Sequence, residues 1–245
     1  MGTWSRLVGE VFLDWLAQPS QRRWLDAGCG NGKFTSLIVE RCAPVSVHGL
    51  DPERSQIEFA RHRGDAQGAQ FLQGDVADLP FPNECFDIGV MALVLVFLPD
   101  PARGLAEMVR VLAEGGTACA YNWDLDGGGS PLSPLGLAMR QTGVPADVAH
   151  SESVSGEAAV RRLWLGAGLQ DVQTRKITVH RRFDSLDDAW KNSCLGASVV
   201  QVLSRLDDKT LAQVKTRFAE NLQQDIRGEI VMSGTAVAVK GEVRR

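Results

Sequence analysis

The feature that most constrains this chain is a rhythm between residues 22 and 121, where short apolar runs alternate with segments of helical periodicity. The runs fall at residues 24–27, 45–50, 70–72, 86–91 and 117–121. Phe34, Leu37 and Ile38 mark one helical pattern, residues 52–63 a second, and Leu105, Met108, Val109 and Leu112 a third. Apolar positions three and four apart share a helix face, whereas strands buried on both faces read as unbroken apolar runs. The alternation therefore predicts parallel strands joined by helices that cover both faces of one sheet. Asp100-Pro101 supplies an N-cap and a first-turn proline for the third helix, and Gly115-Gly116 is expected to close it.

Outside that core the pattern changes. Trp4, Leu7, Val8, Val11, Phe12, Trp15 and Leu16 recur at helical spacing, with Thr3 as the expected N-cap and Pro19-Ser20 as the stop. Residues 122–155 are rich in Gly, Pro, Ser and Asp, including Gly127-Gly128-Gly129, and read as a long loop forming a lid or pocket wall. A helix at 157–165 and a strand at 172–182 resume the alternation. Residues 185–228 read as mostly helical, with Leu211, Val214, Phe218, Leu222 and Ile226 as one apolar stripe, before a last strand at 230–240. A chain of 245 residues is expected to form a single domain.

Composition narrows the partners. A net charge of −4 argues against a protein that neutralises a phosphate backbone. Arg161-Arg162 and Arg181-Arg182 read as solvated faces or element ends. Cys29, Cys42, Cys85, Cys119 and Cys194 form no CxxC pair, which signals neither a zinc cage nor a disulfide framework. No apolar run reaches the roughly 20 residues of a membrane helix. Glu10 and Asp14 interrupt what a signal peptide would need. The expectation is a cytoplasmic protein, monomeric or homodimeric, with no nucleic-acid or membrane partner.

The chemistry begins at the first strand-to-helix turn, Asp26-Ala27-Gly28-Cys29-Gly30-Asn31-Gly32. Glycines there let a ligand approach the backbone more closely than any Cβ would permit. Asp51 ends the second strand about 20 residues later, where a carboxylate can accept both hydroxyls of a ribose. A dinucleotide site wants G-x-G-x-x-G, but this loop reads Gly28-x-Gly30-x-Gly32 followed by Lys33. Asp26 would also repel a pyrophosphate while suiting a cofactor with an amino group and a sulfonium. A nicotinamide cofactor is the second choice.

This loop resembles the first motif of class I S-adenosylmethionine-dependent methyltransferases, and Gly49-Leu50-Asp51-Pro52 resembles their ribose motif. Residues 74–81 resemble the adenine-binding stretch, Phe86-Asp87 and Leu98-Pro99-Asp100-Pro101 the fourth-strand region, and residues 111–116 the approach to strand five. All occur in the family's order across residues 24–121, and the nearest flavour is the ubiquinone/menaquinone-biosynthesis-like group acting on small molecules. The resemblance implies a doubly wound, Rossmann-like, mostly parallel sheet of seven strands, the last antiparallel, with an N-terminal helix and a helical insert. It implies S-adenosylmethionine as cofactor. Gly28, Cys29, Gly30 and Gly32 would face its methionine part, with Asp26 near the amino group. Asp51 beside Pro52 would hold the ribose, Asp75 and Val76 the adenine, and Met91 and Ala92 would lie under the sulfonium.

The catalytic group is left open. Many relatives carry histidine just before Leu-Pro-Asp-Pro, where this chain has Val96 and Phe97. His48 and His62 read as structural; Tyr121, Asp124, His150 and His180 are the candidate bases. Residues 122–126 also admit a magnesium site, although a polar loop is the plainer reading. The methyl is already activated by positive sulfur, so alignment can supply most of the acceleration. Trp123 and Trp190 are candidate pocket residues. Two other readings stay open: a non-catalytic protein that binds the cofactor or its product, and an NAD-dependent oxidoreductase.

Overall fold

The computed structural model describes residues 2–145, 154–195, 197–224 and 229–245. Helix α1 (Gly2–Leu16) precedes β1 (Arg23–Ala27), α2 (Lys33–Cys42), β2 (Ser46–Asp51), α3 (Arg54–Arg61), β3 (Ala69–Gln73), β4 (Phe86–Ala92), α4 (Pro101–Val111) and β5 (Leu112–Trp123). Then come α5 (Ser133–Gln141), α6 (Glu157–Gly166), β6 (Gln170–Phe183), α7 (Leu186–Ser193), α8 (Ala197–Leu203), α9 (Asp208–Glu220), β7 (Gln223–Gln224) and β8 (Ile230–Glu242). The strands follow the order β3-β2-β1-β4-β5-β8-β6, a seven-stranded path to which the two-residue β7 adds a short pairing with β8.

β1 is central. It pairs in parallel with β2 (Trp24↔Val47) and β4 (Leu25↔Gly89), so the carboxyl ends of β1 to β5 share one edge. β8 runs antiparallel between β5 and β6, as expected for the last strand. Its pairing with β5 stops at Trp123↔Ala236, but β6 and β8 continue from Thr178↔Thr235 to Phe183↔Ile230. Those six extra pairs raise a ribbon about 20 Å past the carboxyl edge, at roughly 3.3 Å per residue.

The two faces are covered differently. Trp24, Val90, Cys119, Tyr121, Ala236 and Ala238 pack under α1 and α2, with α5 and α7 to α9 extending the same layer. Leu25, Met91, Ala118, Ala120 and Val239 pack under α4 and α6 on the other face. The Trp164 indole of α6 donates to the Ala118 carbonyl at 3.0 Å, so its polar edge is satisfied inside that layer. Ile57, Ala60, Ala66 and Phe71 form a small third cluster with Cys29 beneath the glycine loop. No described helix is long and apolar enough to cross a membrane.

Several boundaries differ from the sequence reading for identifiable reasons. α1 starts at Gly2, so Thr3 lies inside its first turn, and it stops at Leu16 because Ala17 turns left-handed (φ 49°), before Pro19. α3 occupies only Arg54–Arg61 of the 52–63 pattern. Asp100 caps α4 by accepting the Arg103 N–H at 3.0 Å, but the helix passes directly into β5 at Leu112. Gly115 (φ 71°) and Gly116 therefore serve an irregular stretch of β5 where its register to β4 shifts, and they do not cap α4. The 122–155 segment is not wholly irregular: β5 runs through Trp123 and α5 occupies Ser133–Gln141. Ser133-Pro134 hid that helix among loop-forming residues, although proline suits a first turn. Of the stripe in 185–228, Val214 and Phe218 are buried and Leu211 and Leu222 partly so; Ile226 lies outside the described residues.

Candidate functional site

The parallel strands bring the loop after β1, the end of β2, the turn after β3 and the end of β4 to one edge. The loop is built by backbone bonds: Gly28 and Cys29 both donate to the Leu50 carbonyl, at 2.7 and 2.9 Å. Gly28 (φ 82°) is irreplaceable on two counts, because a Cβ there would also lie 2.4 Å from Val94 Cγ2. Gly32 (φ 75°) starts α2 in left-handed conformation, and its Cβ would press on the Phe71 ring at 3.0 Å. Gly30 (φ 51°) differs, since a Cβ there would meet nothing within 4 Å. Its bareness serves open space above the loop, where a ligand can lie on the backbone.

Asp51 closes the other side of that space. Its Oδ2 accepts the Gly30 N–H at 2.9 Å and its Oδ1 the Glu53 N–H at 3.0 Å. Each oxygen keeps a second lone pair, so the carboxylate both braces the loop and can accept ribose hydroxyls. Pro52 is exposed beside it, and its carbonyl takes the Gln73 side-chain amide at 3.0 Å. The Gly74 N–H donates to the Asp51 carbonyl at 3.1 Å, tying the β3 turn to the same corner. Asp75 is exposed and accepts the Ala77 N–H at 2.9 Å, while Val76 is buried.

Asp26 is the most perturbed acid. It is 0% exposed, and Thr35 of α2 donates to its Oδ2 at 2.6 Å while Oδ1 has no partner. Burial pushes its carboxyl up to about 7; the Thr35 bond opposes this and the charge of Asp51 adds to it. A buried carboxylate with one unused oxygen behind an open glycine is the arrangement a cationic amino group would complete. Cys29 is no nucleophile, since burial and the charges of Asp26 and Asp51 drive its thiol far upward.

At β4 the outcome is mixed. Ala92 is partly exposed at the edge, whereas Met91 is fully buried in the α4 layer, so only its backbone faces the site. Leu93 turns left-handed (φ 62°) and donates to the Tyr121 carbonyl at 2.8 Å, redirecting the chain into a turn where Val96 is buried and Phe97 is 51% exposed. Thr35, Val94 and the Leu93 backbone thus shape the site without any sequence signal. Asn122 is another such residue: it is 0% exposed near the end of β5, with both side-chain polar atoms unpartnered.

The candidate bases are not brought together. Tyr121 is fully buried against Phe12 and Phe34, its hydroxyl lies 3.2 Å from Ser5 Oγ, and burial raises its phenol well above the usual range. Asp124 is neutralised by Lys176 at 2.7 Å and caps the Gly127 N–H. His180 is exposed on the edge strand β6, and His150 lies outside the described residues. His48 packs edge-on to Phe81 and Phe86, and burial lowers its imidazole; the His62 ring bonds the Glu58 carbonyl. Trp123 is buried core, and Trp190 packs against Phe218 at 5.5 Å. No cluster of three or more His, Cys, Asp or Glu able to hold a metal occurs among the described residues.

Comparison with known proteins agrees with this geometry. Residues 25–120 match the model of a family described as a methyltransferase domain. This stretch is therefore similar to methyltransferase domains. A chloroplastic 2-methyl-6-phytyl-1,4-hydroquinone methyltransferase of Oryza sativa is 43% identical over 97 residues, covering 40% of this chain and 28% of that protein. A phthiotriol/phenolphthiotriol dimycocerosates methyltransferase of Mycobacterium ulcerans is 34% identical over 125 residues, 47% of this chain and 46% of the relative. The chain thus spans less than half the length of these two curated relatives. The crystal structure of the YcgJ protein from Bacillus subtilis superposes with a TM-score of 0.64 at 18% identity, covering 97% of this chain and 98% of that one. The matched stretch contains the glycine loop, Asp51 and the β4 edge; the wall beyond β5 lies outside the matched residues.

Proposed function

We propose that this chain transfers the methyl group of S-adenosylmethionine to a small, partly apolar acceptor. The observation that carries this reading is the open backbone at Gly30, braced at 2.9 Å by Asp51 and backed by the half-used carboxylate of Asp26. In this reading Gly28, Cys29, Gly30 and Gly32 hold the methionine part through backbone and Asp26 takes its amino group. Asp51 beside Pro52 accepts the ribose hydroxyls, Asp75 and the Val76 backbone meet the adenine, and Ala92 with the Met91 backbone lies under the sulfur. The bound cofactor supplies a methyl already activated by positive sulfur. The chain then has to bind, orient and exclude water, and in-line placement of the acceptor carries most of the acceleration.

The acceptor wall in this proposal comprises residues 122–155 and the 185–228 insert, both beyond the matched domain. The names of the relatives point the same way, toward a prenylated hydroquinone in one case and a lipid in the other. We also propose cytoplasmic action on a free small molecule, by a monomer or homodimer and without nucleic acid. The test has two parts. Calorimetry should give micromolar binding of S-adenosylhomocysteine and none of NAD; the reverse result overturns the cofactor. Incubation with S-adenosylmethionine and a panel of apolar phenols and acids should yield S-adenosylhomocysteine and a product heavier by one methylene. Tight binding with no turnover on any member would favour a cofactor-binding protein that does not catalyse.

A further inference from the structure

The sequence places Arg181 on a solvated face or at an element end; it lies near the end of β6, and it is partly buried. Its guanidinium lies 5.4 Å from the Trp4 ring of α1 and 4.7 Å from the Phe183 ring. Its polar contact is marginal, 3.5 Å from each terminal nitrogen to Asn192 Oδ1. No carboxylate pairs with it among the described residues, and burial lowers its pKa. Other partly buried arginines are matched: Arg23 with Asp87 at 2.6 Å and Arg110 with Glu107 at 2.8 Å. A desolvated cation without a counter-charge is costly, and aromatic faces offset only part of that cost.

Its place in the fold is informative. Ile177 is level with Trp123 through Ala236, and Arg181 lies four residues further along β6, about 13 Å past the end of β5. Ile177, Val179 and Phe183, on the same strand face, are buried beneath the layer that also contains Trp4. A guanidinium held between rings keeps its planar N–H edge available, which suits two-point binding of a carboxylate or phosphate.

We propose that Arg181 binds an anionic group of the methyl acceptor. The acceptor is then an amphiphilic anion whose carboxylate or phosphate sits on Arg181 and whose apolar body carries the group to be methylated. This rests on the methyl-transfer reading, and the test separates the two. Decanoate, decyl phosphate and decanol are titrated by calorimetry into the wild-type protein, Arg181→Gln and Arg181→Lys, with and without S-adenosylhomocysteine. At least one anion should bind about tenfold or more tightly than decanol. The preference should vanish in Arg181→Gln and be partly kept in Arg181→Lys, and whichever anion is favoured identifies the group. Equal binding of all three probes to the wild type, or a preference that survives Arg181→Gln, overturns the proposal. If Arg181→Gln fails to fold by circular dichroism, an undiminished preference in Arg181→Lys serves as the refuting result. Failure of S-adenosylhomocysteine to bind the wild type counts against the methyl-transfer reading, whereas cofactor binding without anion preference counts against Arg181 alone.

Discussion

Asp26→Asn is the sharpest perturbation the site offers. The folded protein holds this carboxyl at about 7 against an ordinary 3.8, chiefly through burial. Between those values the folded state keeps a proton that the unfolded state has lost, so stability from this group falls as pH rises. It is fully present below pH 3.8 and lost by the time pH passes about 7. At about 1.36 kcal/mol per pH unit, the loss is on the order of 4 kcal/mol, an upper figure for a group sealed this completely. Asp87 and Glu107 run the other way, since Arg23 and Arg110 hold their carboxyls low, so only the difference between wild type and variant isolates Asp26. Urea denaturation of the ligand-free proteins from pH 4 to 8 should show Asp26→Asn gaining on the wild type as pH rises. S-Adenosylhomocysteine should bind the variant about tenfold or more weakly, because the amide gives its amino group no charge. A variant that tracks the wild type at every pH, with unchanged ligand affinity, would refute both the buried acid and its place in the site.

Four further outcomes follow from the loop and the strand ends. Gly28→Ala should cost about 3 kcal/mol or more by thermal or urea unfolding, because strain at φ 82° adds to the collision with Val94. Gly30→Ala should cost only about 1–2 kcal/mol yet weaken S-adenosylhomocysteine sharply by calorimetry, since its methyl fills ligand space; unchanged affinity would empty that space of meaning. Asp51→Ala should lower affinity by on the order of 1.5–3 kcal/mol in a protein that still folds. Unfolding with intact affinity in the folded fraction would reduce Asp51 to a brace for Gly30 and Glu53. Tyr121→Phe should lose about 1 kcal/mol of stability with the Ser5 contact and keep methyl transfer within a few-fold. A fall to background would restore Tyr121 as a base.

What could be read in the sequence was local in origin. The loop glycines, Asp51 at a strand end and the Asp100-Pro101 start of α4 are set by dihedral preference, hydrogen bonds a few residues apart and apolar periodicity. These signals place β1 to β5 and the cofactor corner to within a residue or two at most ends. Where local signals conflicted, the reading failed: Ser133-Pro134 and three consecutive glycines suggested loop, although α5 finds a partner in α9. Gly115-Gly116 suggested a helix end, because nothing nearby announces a register shift against β4.

The environment of each side chain was a different matter, because it depends on residues far apart in the chain. Tyr121 reads as an available phenol until Phe12, Phe34 and Ser5 enclose it, and Asp124 as a free acid until Lys176 arrives from β6. Asp26 becomes a weak acid chiefly because α2 and the sheet exclude water around it. Arg181, read as a solvated or element-end charge, lies over aromatic rings with no carboxylate partner among the described residues, because α1 brings Trp4 across to β6. By itself the sequence determined the doubly wound sheet and the corner of glycine loop and strand ends that we propose as the cofactor site, since backbone geometry and periodicity encode both. Charge, burial and access at each functional atom were decided only by tertiary packing, because desolvation and pairing depend on which distant groups the fold brings within a few ångströms.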